Sequence, residues 1–204
     1  SRQTGQETFD YFLYGDYDGD NVHEAFALVG SRSGKSENPS GTLWFVSPRY
    51  VGEIDEERSY YALETCGGEG HVLFSAEEWY GGSGSTTRLW TVEDNMPVQV
   101  ENVPRERMTY YGGNEFHAHI SEFGINGLGH TWKTYYYFLD GAQMREYGGI
   151  YITQEQLLSL DGAQELLQGV IDNGWSIDDV IYRGNGVINV NLRKMIDSQI
   201  TYSN

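Results

Sequence analysis

Residues 16–24 read Asp-Tyr-Asp-Gly-Asp-Asn-Val-His-Glu, which puts carboxylates at positions 1, 3, 5 and 9 of a short loop. Alternating carboxylates on a tight turn converge on one point, where a hard cation such as Ca2+ takes about six to eight oxygens at roughly 2.3–2.6 Å. Gly19 permits the sharp bend, and Asn21 is a residue that tolerates positive φ. The Val22 carbonyl can supply a backbone oxygen at position 7, and Glu24 closes the shell directly or through water. The expected calcium ligands are therefore Asp16, Asp18, Asp20, Val22 and Glu24. Four carboxylates this close repel one another without a cation, so the ion is expected to rigidify the loop by stabilising the state that binds it. No nucleophile or base stands beside the loop in the local sequence, so a catalytic role for the ion is not expected.

Other chemistry-bearing residues form weaker patterns. Glu115, His117 and His119 alternate and so share one face of a strand. His130 follows the glycine-rich stretch 124–129. Three imidazoles with Glu115 or Glu122 could hold zinc, and the alternative function is then a metal-dependent hydrolase using His117, His119 and His130. The spacing matches no specific zinc signature, and histidines on the polar face of a strand are the favoured account. Cys66 has nothing in the local sequence that fixes a base beside it, so an inert thiol is expected. Gly81–Ser85 lacks the lysine and following helix of a P-loop and reads as a flexible hairpin connection. Tyr135–Tyr137 and the five tryptophans suit either a stacking surface for sugar or peptide or cross-strand packing, and the sequence leaves both open.

The acidic loop runs directly into the apolar stretch Ala25–Val29. An EF-hand or dockerin loop would carry a bidentate Glu at its twelfth position, where this chain has Ala27, and no capped helix flanks the loop. The order of strand, D-x-D-G-D-x-x-x-[DE], strand resembles the FG-GAP calcium loop of integrin-type β-propellers over residues 12–29. Asn21 and Glu24 stand where that family usually has Gly and Asp. The resemblance implies a calcium loop between two β-strands. Over most of its length the chain also resembles a broad group of secreted proteins and lipoproteins of Gram-positive bacteria, through "GDYDGDNVHEAFAL", "GTLWFVS" and "GHTWKTYYYF…EYGG". That second resemblance implies an extracellular or cell-surface location and brings no activity with it. The start at Ser1 without Met is in keeping with a removed leader, through which lipid anchoring is an option.

Composition narrows the class. The 204 residues carry 13 Lys and Arg against 30 Asp and Glu, a formal charge of −17 that disfavours binding to nucleic acid. No apolar run approaches the roughly 20 residues of a spanning helix. The single cysteine excludes an internal disulfide. At 14% aromatic the chain is too rich in ring side chains for a disordered acidic tail.

The elements that must position the loop read mostly as strands. Thr42–Ser47, Arg88–Glu93 and Thr134–Leu139 are aromatic and β-branched runs whose centres Trp44, Trp90 and Tyr136 recur every 46 residues. The same offset stacks Leu28, Phe74 and Ile120 in one column and Val46, Val92 and Phe138 in another. The expected fold is mainly β: three propeller-blade-like antiparallel meanders (about 12–57, 58–103 and 104–149), then a helical segment and a C-terminal hairpin. Three copies are too few for an ordinary closed propeller of about four to eight blades, so an open or incomplete meander, or a small propeller-like body closed by other material, is expected. Only the first copy keeps the carboxylates. Residues 1–149 are expected to form the repeated domain and 150–204 a cap packed on it. In that cap Thr153 and Gln156 read as a capping box, Asp161 and Gln164 as a second, Asn173-Gly174 as a helix stop, and Gly184-Asn185-Gly186 as a hairpin turn. The leading expectation is a non-enzymatic, calcium-binding extracellular domain of a bacterial envelope or secreted protein, serving adhesion or binding a protein or glycan ligand.

Overall fold

The computed structural model describes residues 8–30, 40–68, 71–79, 85–123, 130–197 and 199–204. The glycine stretches 81–84 and 124–129, and the side chains of His71, Glu122 and His130, lie outside the described residues.

The chain is mainly β. Seven strands, β1 (Thr8–Gly15), β2 (Glu24–Gly30), β3 (Ser40–Val46), β4 (Val51–Gly68), β5 (His71–Trp79), β6 (Ser85–Glu93) and β7 (Met96–Gln99), form one sheet in simple chain order. Every neighbouring pair in it is antiparallel. β4 has 18 residues. At roughly 3.3 Å per residue a straight strand of that length would reach ~60 Å, far beyond a small core. Its first part pairs with β3 and its second with β5, and the β5 register slips between Tyr60 and Ala62. Such bulges bend a strand and let the sheet fold back on itself. The core shows the result: Tyr17, Phe26, Leu28, Leu43 and Phe45 pack with Tyr60, Trp90 and Val92 in one buried cluster. Phe26 meets Tyr17 and Phe45 edge-on, both at 4.9 Å between ring centroids.

A second sheet has the order β11-β10-β9-β8, from β8 (Met108–Gly112), β9 (Glu115–Phe123), β10 (His130–Asp140) and β11 (Gln143–Glu146). A third contains β12 (Gly149–Ile150), β13 (Ser176–Tyr182), β14 (Ile188–Ile196) and β15 (Gln199–Ser203) in chain order. Helices α1 (Gln154–Leu158) and α2 (Ala163–Asp172) precede β13. Two compact units result, one of Ser1–Phe116 with Leu139–Arg145 and one of His117–Phe138 with Glu146–Asn204. The division passes through β9 and β10.

The 46-residue period does not reappear as equal sheets. β4 runs unbroken across the expected junction at 57/58. Trp44 pairs with Ala27, and a strict repeat would then set Leu73 opposite Trp90, yet Trp90 pairs with Phe74. The burial also differs in part, Val46 being exposed where Val92 is buried, although Leu43 and Leu89 are both buried. Among the described residues no closed barrel or propeller is formed.

In the C-terminal region the Thr153–Gln156 capping box forms reciprocally, with bonds of 3.1 and 2.8 Å. The second expected box does not form. Gly162, at φ 76, is the N-cap of α2, and no side chain caps that end. Asn173 and Gly174 end α2, and Gly184, Asn185 and Gly186 all take positive φ in the β13–β14 turn. β15 extends this hairpin into a three-strand meander that the sequence pattern did not announce. No helix among the described residues is long and apolar enough to cross a membrane.

Candidate metal centre

The acidic loop connects β1 to β2, and its ends are clamped where Gly15 pairs with Glu24. Inside it, carboxylates organise the backbone. Asp16 accepts from the N–H of Gly19 at 2.7 Å and of Asn21 at 2.9 Å, one through each oxygen. Asp18 Oδ1 accepts from Asp20 N at 3.3 Å, and Asp20 Oδ1 from Val22 N at 2.7 Å. Gly19 (φ 78) and Asn21 (φ 66) take the left-handed conformation expected from the sequence.

Asp16, Asp18 and Glu24 each bring one oxygen to within 4.8 Å of the others. Two oxygens bound to one calcium at roughly 2.5 Å can be no more than about 5 Å apart, so this group has the span of a shared ligand shell. Among the described residues it is the one such group of three or more His, Cys, Asp or Glu side chains. Asp20 is not in that group of three, and its Oδ2 accepts from the Asn95 side-chain amide at 2.7 Å. Val22 donates its N–H to Asp20 within the loop, and its carbonyl is the backbone oxygen it can offer.

Glu24 has 0% of its surface exposed. Its Oε2 accepts from Tyr17 N at 2.9 Å, and Oε1 is buried with no hydrogen-bond partner among the described residues. Burial first, and then repulsion from Asp18, Asp20 and Asp16, raise its pKa above the ordinary carboxylate value despite the Tyr17 N–H. Asp20 is held the other way, below its usual range, first by the Val22 N–H and then by Asn95. Burial, then Glu24, push the Tyr17 phenol up to about 12, and its hydroxyl is also buried without a partner. A buried carboxylate grouped with two others and satisfied through only one of its oxygens is electrostatically incomplete. An anionic, oxygen-only donor set with an orphaned buried oxygen fits a hard divalent cation.

Sequence reasoning missed Asn95. Asp94 and Asn95 form the two-residue turn between Glu93 of β6 and Met96 of β7, both at positive φ, as the right-handed twist of a tight hairpin requires. That turn lies on the acidic loop: Asn95 N donates to Asp18 Oδ2 at 2.9 Å. Ser47 Oγ donates to the Asn95 carbonyl at 2.7 Å, and Arg49 Nη1 to the Asp94 carbonyl at 3.1 Å. Nothing local in the sequence marked what this turn would touch.

No protein-family model, curated protein or solved structure matches the chain.

Beside the loop, β1 is an edge strand. Phe12 and Tyr14 are 58% and 65% exposed and stacked, and Tyr14 stacks in turn on His23 at 4.9 Å. Across the sheet Phe12 aligns with Ala27 and Trp44, and Tyr14 with Ala25 and Val46. The alanines are buried and form a low floor between larger side chains. In the other unit, His117 and His119 lie 5.3 Å apart on β9, and His119 Nδ1 is engaged by the Thr134 hydroxyl at 3.0 Å. Cys66 is half-buried, and burial, then Glu64, push its thiol up to about 12, far from the thiolate a nucleophile needs.

Proposed function

We propose that this chain is a non-enzymatic, calcium-binding extracellular domain of a bacterial envelope or secreted protein, with calcium structural and with adhesion or ligand binding as its task. The observation that carries the calcium reading is the buried Glu24 carboxylate, which groups with Asp16 and Asp18 and whose Oε1 has no hydrogen-bond partner among the described residues. Asp16, Asp18 and Glu24 would hold the ion, with the Asp20 carboxylate and Val22 carbonyl as the remaining oxygens of the loop. Extracellular calcium is millimolar, enough to fill even a weak loop of this kind. The exposed ring row of Phe12, Tyr14 and His23 supports the binding role, since stacked aromatic faces suit a protein or glycan ligand. The 46-residue period is read as a sequence-level trace of duplicated hairpins.

Calorimetric titration with CaCl2, paired with melting in EGTA and in calcium, tests this reading. The expected result is a single site and a stabilisation of about 2.7 kcal/mol at 100-fold excess over Kd. That corresponds to a rise of about 5–10 °C in Tm. Absence of heat and of any shift at millimolar calcium removes the proposal.

A further inference from the structure

The acidic loop does not aim its own carboxylates unaided. Asn95 reaches it from across the sheet with two donors, the backbone N–H to Asp18 Oδ2 and the side-chain amide to Asp20 Oδ2. The remaining polar atom of that side chain, Oδ1, is buried and has no hydrogen-bond partner among the described residues. The turn that presents Asn95 is fixed in its own right. Ser47 Oγ holds the Asn95 carbonyl, and Ser47 accepts from Arg49 N and Tyr50 N at 3.1 and 2.9 Å. Three turns therefore meet at one place: the β1–β2 loop, the β3–β4 corner at Ser47–Tyr50 and the β6–β7 turn. The two strands joined by the last are the sixth and seventh of the sheet, so a bond between Asn95 and the loop ties its beginning to its end.

We infer that Asn95 is a positioning residue of the cation site, and that a calcium ion in the β1–β2 loop clamps the β6–β7 turn through it. The inference rests on the calcium reading above. Each Asn95 donor occupies one lone pair of an acidic side chain, which fixes the rotamers of Asp18 and Asp20 and offsets part of their mutual repulsion. Groups that orient metal-binding carboxylates in this way change metal affinity by about 10- to 100-fold.

The test compares calcium titrations of the wild type and Asn95→Gly. Glycine keeps the positive φ of that turn position and the N–H that reaches Asp18, and deletes only the amide. The expected result is a Kd raised about 10- to 100-fold, whatever the urea midpoint measured in EGTA. An unchanged Kd, or a lower midpoint with the same Kd, overturns the inference and leaves the calcium reading standing. A wild type that binds no calcium removes both. If the variant does not fold, hydrogen exchange at the Asn95 amide of the wild type decides. Calcium is expected to slow it, and identical exchange in calcium and EGTA overturns the clamp.

Discussion

Tyr17 donates its backbone N–H to Glu24 Oε2 at 2.9 Å, and among the described residues this is the only hydrogen bond to the Glu24 carboxylate, which has no exposed surface. One neutral donor is poor compensation for a buried charge, and three more acidic side chains repel it. The region around Glu24 is therefore built at a cost to the metal-free protein.

Glu24→Gln separates the two sides of that balance. The amide carries no charge and can donate toward Asp16 or Asp18. In EGTA at neutral pH the variant is expected to be more stable than the wild type by about 1 kcal/mol or more, since an unsatisfied buried polar group costs about 1–3 kcal/mol. In calcium the order reverses, because the variant gains nothing from the ion. Urea denaturation under both conditions reads the crossing. A variant less stable than the wild type in EGTA would mean that Glu24 is already satisfied without a cation.

The loop was legible in the sequence because its information is local: alternating carboxylates, a glycine at the bend and an abrupt change to apolar residues. The same holds for the Thr153–Gln156 cap and the Gly184–Gly186 turn, each fixed within a few residues. Asn95 was not legible, because its contact with Asp18 spans 77 positions and depends on how the sheet folds back. β4 was hidden for a related reason. Its acidic stretch Glu53–Arg58 looks like a connection, and it becomes strand only through pairing with β3. The 46-residue period misled the register, since composition repeats more readily than strand pairing does. The choice of Gly162 over Asp161 at the start of α2 follows from backbone conformation, which residue preference alone does not determine.

His117 gives the second unit an acid-sensitive element. Burial, and then the neighbouring His119, lower its pKa below the ordinary 6.5. A depressed folded value means that the neutral ring contributes stability above the unfolded value. That contribution is lost as pH falls through the folded one. The urea midpoint is expected to drop from about pH 6.5 downward, and His117→Gln should flatten this limb. Following the His117 Cε1 proton by NMR gives the titration directly. A midpoint at or above 6.5 would contradict the assignment.

Lys133 poses the opposite electrostatic problem, a buried cation with two acceptors. Its Nζ lies 2.8 Å from Asp178 Oδ2 and 2.6 Å from Asp179 Oδ2, and the side chain is almost wholly covered. Burial works against the ammonium, but hydrogen bonds to Asp178 and Asp179 outweigh it, so the group stays protonated above its ordinary range. Asn191 Nδ2 supports Asp179 Oδ1 at 2.8 Å, while Arg193 stands 3.4 Å from Asp178 Oδ1. Lys133→Met leaves both carboxylates without their main counter-charge, and breaking a buried pair from one side costs about 3–5 kcal/mol. Combining it with Asp178→Asn and Asp179→Asn should recover most of that loss, because the penalty arises from the stranded charges and not from the missing bonds. Chemical denaturation of the single and triple variants distinguishes the cases. A triple variant as unstable as the single one would show that the hydrogen bonds from Lys133, and not the stranded charges, hold β10 against β13.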